Sequence, residues 1–267
     1  MKLRKLSNNL RFLLIKMSSE TKSPHLASSL SCIDIVTTLY HSVLKINKKN
    51  FKSSLRNRFI LSKGHAATSL YVALEYKNII SKKDLNTYTK KGSLLEEHPS
   101  PKMPGVEAAT GSLGHGLSIG CGIALSSKIL KKKFMTYVLM SDGECNEGSV
   151  WEAALFASAK KLNNLCAFVD YNKWQATGKS KDILNLGSLS KKFKEFGWNV
   201  IEIDGHNHDL IFKACKIAIK EKSKPTVVIA NTIKGKGVSF MENDNNWHYR
   251  IPSANEVNMA KKELDIK

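Results

Sequence analysis

Several signatures that would place this chain of 267 residues in a familiar class are missing. Cys32, Cys121, Cys145, Cys166 and Cys215 are scattered with no CxxC pair, which argues against disulfides and zinc and predicts reduced thiols in a cytosolic protein. There is no HExxH, and the histidines show no zinc spacing. No apolar run reaches membrane-spanning length, so a soluble protein without a membrane partner is expected. Near the N-terminus Phe12–Ile15 is apolar, but Arg11 and Lys16 interrupt it and no small-residue cleavage site follows, which argues against a secretory signal. Internal repeats and low-complexity linkers are also absent, so residues 1–267 read as a single domain.

Arginine interleaved with aromatic residues is lacking too. The net charge of +19 is almost all lysine, in small clusters such as Lys48–Lys49, Lys131–Lys133 and Lys191–Lys192. That distribution resembles compositional drift more than a binding face, and it argues against specific nucleic-acid recognition. A positive field still favours a phosphorylated substrate. Two phosphate-loop patterns also fail. Gly114–Gly120 (GHGLSIG) has its last gap one residue too long for a dinucleotide fingerprint and no strand leading into it. Thr177–Ser180 (TGKS) ends like a P-loop, but Lys173 stands where the first glycine should be.

What is present is a β–α rhythm. Leu3, Leu6, Leu10, Leu13, Leu14 and Met17 fall at helical spacing. A second helical pattern, preceded by a turn around Ser23-Pro24-His25, is read over Thr21 to Leu44, and a short strand at 59–61 leads into a helix over 66–76. Residues 92–114 form a long irregular loop, and 117–129 a small-residue helix suited to close packing. Strands at 134–140, 165–169, 199–203 and 226–230 then alternate with helices at 150–161, 188–196 and 209–221, with a loop through 173–186. Such alternation implies right-handed crossovers and an α/β fold: a parallel sheet with helices on both faces.

Two of these strands end in oxygen-bearing residues, Asp142 in Ser141–Gly148 (SDGECNEG) and Asn172 in Asp170-Tyr171-Asn172. In a parallel sheet the loops at the strands' carboxyl ends share one rim, so the two tips can meet around one ligand. One carboxylate, one amide and one carbonyl suit Mg²⁺, which takes a few protein oxygens together with phosphate and water. A diphosphate and divalent-cation site follows from this pattern.

These residues, with the segments around them, resemble the N-terminal, diphosphate-binding part of a transketolase, as found in the separate N-terminal subunit of split forms. The resemblance spans nearly the whole chain. It is carried by His25 in PHLASSLS, by Arg58–His65 (RFILSKGH), by His98-Pro99, and by Pro104–Glu107 leading to Thr110–Leu117 (TGSLGHGL). The Asp142-Gly143 to Asn172 segment, Asp204-Gly205-His206, Asn231–Val238 (NTIKGKGV) and Trp247-His248 complete it.

The resemblance implies the thiamine diphosphate-binding fold, with thiamine diphosphate and Mg²⁺ as cofactors. It makes Asp142, Asn172 and the Trp174 carbonyl the metal ligands, and gives Gly143 a backbone N–H to the diphosphate. It lays Gly111, Ser112 and Leu113 against the thiamine, sets His65 and His248 beside the diphosphate and the reacting carbon, and directs His25 and His98 to the sugar hydroxyls. The implied reaction moves a two-carbon ketol unit from a ketose phosphate to an aldose phosphate. The family's activating glutamate comes from a pyrimidine-binding domain, so the resemblance implies a C-terminal partner subunit, with Glu147 and Glu152 at the interface of an α2β2 assembly.

The chain departs from the family at Pro24, Ala27 and Ser28 around His25, at Asn57, and at Tyr249-Arg250 after Trp247-His248. Bland readings compete for single residues: Asp142-Gly143 as a turn, His65 as a helix cap, His98 as a solvated loop residue, and Lys234 and Lys236 as a solvated loop. His115 is expected to give structural support, and Cys145 to pack. Alternative readings of the whole chain are a deoxyxylulose-phosphate synthase, the α subunit of a 2-oxo acid dehydrogenase, and a non-catalytic basic scaffold.

Overall fold

The computed structural model describes residues 2–266. The N-terminal periodicity forms α1 (Lys2–Thr21), with Leu10, Leu14, Ile15 and Met17 turned into the core. The next helix is shorter than its pattern suggests. Pro24 has no N–H to donate and biases Ser23 away from helix, so the chain turns through left-handed residues at Lys22 (φ 57°) and His25 (φ 67°). Only then does α2 (Leu26–Thr38) begin, with every residue buried, and it closes in a wider π turn at Leu39–Val43.

The sheet is built from β1 (Arg58–Leu61), β2 (Thr136–Ser141), β3 (Leu165–Tyr171), β4 (Asn199–Asp204) and β5 (Thr226–Asn231). All pairings are parallel, in the order β1-β2-β3-β5-β4. The intervening helices are α3 (Ala67–Tyr76), α4 (Lys82–Leu85), α5 (Gly116–Ile129), α6 (Gly148–Ala159), α7 (Ser180–Ile183), α8 (Leu189–Glu195) and α9 (His208–Lys220), and α10 (Ala254–Glu263) follows the sheet. Strand side chains alternate between two separate cores, as the period of two requires. Phe59, Leu61, Tyr137, Leu139, Phe168 and Val228 pack with α1, α2, α3 and α9, whereas Ile60, Val138, Met140, Ala167, Val169 and Ile229 pack with α5, α6 and α8. Both faces are therefore covered, and the strands read as continuous apolar runs for that reason. A Cβ at Gly120 would stand 2.5 Å from Val138 Cγ2, which confirms the close packing expected of α5.

Boundaries moved in places. β2 starts two residues later than its apolar run, and β3 runs on through Asp170 and Tyr171 because both continue the ladder with β5. The short helices α4 and α10 are not apparent from hydrophobic periodicity, since few of their residues are buried; their signals are the capping boxes Ser81/Asp84 and Ser253/Glu256. The loop between α4 and α5 is irregular as expected, but Leu95 and Met103 anchor it in the core.

Asp34, the only carboxylate of α2, ties three elements together. It is buried and meets the Arg11 guanidinium of α1, His206 Nδ1 at 2.8 Å and His208 Nε2 at 3.5 Å. His206 Nε2 accepts the Ile233 N–H at 2.9 Å, so Nδ1 carries the proton that faces Asp34. Burial alone would raise the Asp34 pKa, but Arg11 and His206 outweigh it and hold the carboxyl well below its usual range. A depressed folded-state pKa stabilises the fold above the unfolded value of about 3.9, and that contribution is lost as pH falls below it. Asp34→Asn should cost roughly 3–5 kcal/mol near neutral pH by leaving a buried guanidinium unpaired. Urea unfolding across acid pH should show a weaker pH slope in the variant than in the wild type.

Candidate active site

The carboxyl ends of β1, β2, β3 and β5 bring Ser62–His65, Asp142, Asp170–Asn172 and Thr232–Lys234 to one rim. Beneath the rim lies an ion pair with no solvent exposure: Lys63 Nζ donates to Asp170 Oδ2 at 2.5 Å and to the Ser28 carbonyl at 3.0 Å. Asp170 also accepts from Ser31 Oγ at 2.5 Å, from Asn172 Nδ2 at 3.4 Å and from Thr232 Oγ1. Burial would lower the Lys63 pKa, yet Asp170 reverses this and raises it, so the lysine stays charged. Neither partner stands out in the sequence, where an acid inside an apolar run and a lysine in an SKGH turn read as ordinary exposed residues.

Asp170 is thus fully occupied, and Asp142 is not. Asp142 Oδ2 accepts from Ser180 Oγ at 2.7 Å, whereas Oδ1 is buried without a hydrogen-bond partner. Burial, opposed by the Ser180 bond and reinforced by Asp170, pushes the Asp142 pKa up to about 6. A buried carboxylate oxygen without a donor is the feature expected where a cation completes the site. The other two expected ligands are close by in sequence. Asn172 turns its amide nitrogen to Ser31 and Asp170, and its Oδ1 accepts the Trp174 N–H at 3.0 Å. The turn that follows uses the carbonyls of Lys173 and Gly178 for its bonds, which leaves the Trp174 carbonyl outside that pairing. Among the described residues no three His, Cys, Asp or Glu side chains gather as a metal cage; a carboxylate, an amide and a carbonyl are the kinds of oxygen that suit a hard ion.

Lys234 departs from the solvated-loop reading. It is 1% exposed, and its Nζ reaches the Asn245 amide oxygen at 2.6 Å, His248 Nδ1 at 3.1 Å and the Gln175 carbonyl at 3.2 Å. All three acceptors are neutral. Burial and the neighbouring Lys63 bring its pKa down to about 8. A buried ammonium without a carboxylate favours an incoming anion. Lys236, by contrast, pairs with Glu242 at 3.1 Å and is partly exposed, closer to the solvated reading.

The structure brings the four predicted histidines into one cluster. Ring centres lie 5.6 Å apart for His25 and His65, 5.1 Å for His25 and His248, 6.0 Å for His65 and His248, and 6.5 Å for His25 and His98. His25 is fixed in its left-handed conformation by donating its N–H to the His248 carbonyl at 2.8 Å. Burial lowers the pKa of His25, that of His65 falls well below the usual value through burial with help from Lys63, and that of His248 drops to about 3 through burial and Lys234. These three rings are therefore neutral at pH 7. Because Lys234 donates to His248 Nδ1, the proton of His248 sits on Nε2.

Gly111, Ser112 and Leu113 lie in the loop that crosses this cluster. Gly111 has φ 153°, and a Cβ there would meet His98 Cδ2 at 2.8 Å, so only glycine lets the loop pass. Glu144 holds the loop's far end and was not singled out from sequence. It is fully buried, accepts from Ser62 Oγ and from the Gly114 N–H at 2.9 Å, while Ser62 Oγ accepts the Gly116 N–H at 3.1 Å. Gly143 opens the single turn Gly143–Asn146, which Asp142 precedes and which contains Glu144. His115 is exposed with Nδ1 3.1 Å from the Leu113 carbonyl, and Cys145 is buried, with its thiol pKa pushed well up by burial.

A doubly covered parallel sheet with a buried ion pair beneath its carboxyl rim, and at that rim an enclosed ammonium and a carboxylate with an unpartnered oxygen, defines an α/β protein whose candidate site lies at the strand ends. Residues 3–267 match the family described as transketolase, thiamine diphosphate binding domain, and the chain belongs to that family. It is 39% identical over 251 residues to one of the subunits of the apulose-4-phosphate transketolase of Phocaeicola vulgatus, covering 94% of this chain and 89% of that one. A 6-deoxy-6-sulfo-D-fructose transketolase subunit of Clostridium sp. is 38% identical over 237 residues, covering 88% and 86%. The transketolase structure from Campylobacter jejuni superposes with a TM-score of 0.93 at 30% identity, over 99% of this chain and 43% of that one. The chain thus spans less than half of that transketolase but most of the two smaller relatives.

Lys63→Met should destabilise the protein by about 3–5 kcal/mol because it strands the Asp170 carboxylate, whereas Lys63→Met/Asp170→Leu should recover much of the loss. Denaturant titrations arranged as a double-mutant cycle measure this directly.

Proposed function

We propose that this chain is the cofactor-binding half of a two-subunit transketolase, acting as one unit over 1–267 and transferring a ketol group from a ketose phosphate to an aldose phosphate. The observation that carries the reading is the buried, unpartnered Asp142 Oδ1. Asp142, Asn172 and the Trp174 carbonyl would hold Mg²⁺. Lys234 and the Gly143 N–H would face the diphosphate, and Gly111, Ser112 and Leu113 the thiamine. When bound, thiamine diphosphate supplies the carbon nucleophile and the electron sink of ketol transfer.

The chain's own residues then divide the remaining work. The Nε2–H of His248 is a donor whose tautomer Lys234 enforces. His65, neutral and half enclosed between His25 and His248, can accept or donate a proton without carrying charge in the resting site. His25 and His98 would bond sugar hydroxyls. Names of the relatives support this division: those that the chain matches over most of their own length are called subunits, and they are named for apulose 4-phosphate and 6-deoxy-6-sulfo-D-fructose. The partner would bring the pyrimidine-binding domain, Glu147 and Glu152 would face it, and the assembly would be α2β2 in the cytoplasm. Among the described residues no helix is long and apolar enough to cross a membrane.

Calorimetric titration of thiamine diphosphate with Mg²⁺ should show tight binding to the mixture of this chain with its C-terminal partner and weak binding to the chain alone. Asp142→Ala should abolish the metal-dependent part. Lys234→Met should weaken the cofactor by roughly 10- to 100-fold, the worth of a charge-assisted hydrogen bond of about 1.5–3 kcal/mol. Because the Lys234 pKa is lowered to about 8, an incoming diphosphate should draw a proton onto it above that pH. Binding enthalpies compared across buffers of different ionisation heat should show uptake in the wild type and not in Lys234→Met. Folded, associated subunits that bind no thiamine diphosphate would overturn the proposal.

A further inference from the structure

We propose that Tyr249 is a specificity-determining residue of this site, an aromatic wall against which the C–H face of the sugar phosphate's carbon chain rests. The inference builds on the ketol-transfer reading and adds to it the surface that recognises the carbohydrate's apolar side. Tyr249 follows the single turn Asn245–His248 and is 60% exposed. Its ring centre stands 4.6 Å from that of His248 at 78° and 5.7 Å from that of His25 at 62°. It is therefore the open member of an otherwise enclosed aromatic cluster, at its solvent side.

The backbone around it is pinned. Tyr249 N–H donates to the Asn246 carbonyl at 3.3 Å and Arg250 N–H to the same carbonyl at 2.9 Å. On one side Trp247 is buried in the core, and on the other Arg250 lies 4.3 Å from the Trp247 ring and pairs with Glu256. The backbone that carries the ring is thus fixed, and the ring meets His25 and His248 while contributing nothing to either hydrophobic core. Among the described residues its hydroxyl bonds no protein group, so its free surface is the aromatic face and the phenol tip. A ketose phosphate presents hydroxyls, which the neighbouring imidazoles can bond, and C–H groups, which carry partial positive charge and are attracted to the negative face of an aromatic ring. His25 and His248 serve the first kind of group, and Tyr249 beside both of them serves the second.

The test uses the complex of this chain with its C-terminal partner, loaded with thiamine diphosphate and Mg²⁺, and fructose 6-phosphate as the probe, in wild type, Tyr249→Gly and Tyr249→Phe. Tyr249→Gly should raise KM about tenfold with kcat within about twofold, the pattern of lost uniform binding, equivalent to about 1.4 kcal/mol. Tyr249→Phe should behave as wild type, and cofactor affinity should be the same in all three. An unchanged KM in Tyr249→Gly, a Tyr249→Phe as impaired as Tyr249→Gly, or loss of cofactor binding with the ring would each overturn the proposal. If the wild type turns over no donor, the ketol-transfer reading fails, and equilibrium binding of fructose 6-phosphate decides this one separately. Binding to the wild type that weakens about tenfold in Tyr249→Gly and is kept in Tyr249→Phe sustains the wall; equal binding, or none, overturns it.

Discussion

A lysine and an aspartate with no access to water, Lys63 and Asp170, set the conditions for everything above them. Removing two charges from water is expensive, and only mutual pairing with complete hydrogen bonding makes it tolerable. The bonds that satisfy this pair come from the Ser28 carbonyl and Ser31 on α2 and from Thr232 after β5, so helix, sheet centre and rim are joined at one point. The pair also fixes the orientation of Asn172, whose amide nitrogen is drawn toward Asp170 and Ser31 while its oxygen faces away. With Asp170 occupied, Asp142 is left as the carboxylate with an oxygen to spare, and Lys234 as the ammonium without an acid. That imbalance is what the proposed pairing with a cation and an anion would relieve.

The same cationic surroundings keep the imidazoles uncharged. Burial disfavours protonation, and Lys63 and Lys234 add repulsion, so His65 and His248 are neutral where an exposed histidine would be partly charged. A neutral ring both donates and accepts, which a cluster facing hydroxyls requires. Lys234 links the two halves of the site, since the ammonium suited to a diphosphate also determines which nitrogen of His248 carries the proton.

Much of the fold was legible because alternation of strand and helix leaves a periodic trace. The five parallel strands, the covered faces and the placing of Asp142 and Asn172 at the ends of neighbouring strands follow from that trace and from the general geometry of parallel sheets. The short helices were not legible, since α4 and α10 carry too few buried residues to show a period. The start of α2 at Leu26 was obscured because the polar stretch Thr21–His25 carries no apolar period to mark where the left-handed turn at Lys22 and His25 ends. In the site, His25, His65, His98 and His248 could be nominated from the motifs that hold them, but Lys63, Asp170, Glu144 and Ser180 could not, because burial and pairing give each of them its role.

Sequence by itself determined the family, the parallel α/β architecture and the identity of the polar residues at the strand ends, because these depend on local pattern and on motifs short enough to be read along the chain. Only the tertiary structure decided which of two aspartates keeps an unpartnered oxygen, that Lys234 is enclosed rather than solvated, and that Tyr249 stands beside His25 and His248. Each of these depends on desolvation and on contacts between residues far apart in the chain. Neither leaves a mark in the order of amino acids.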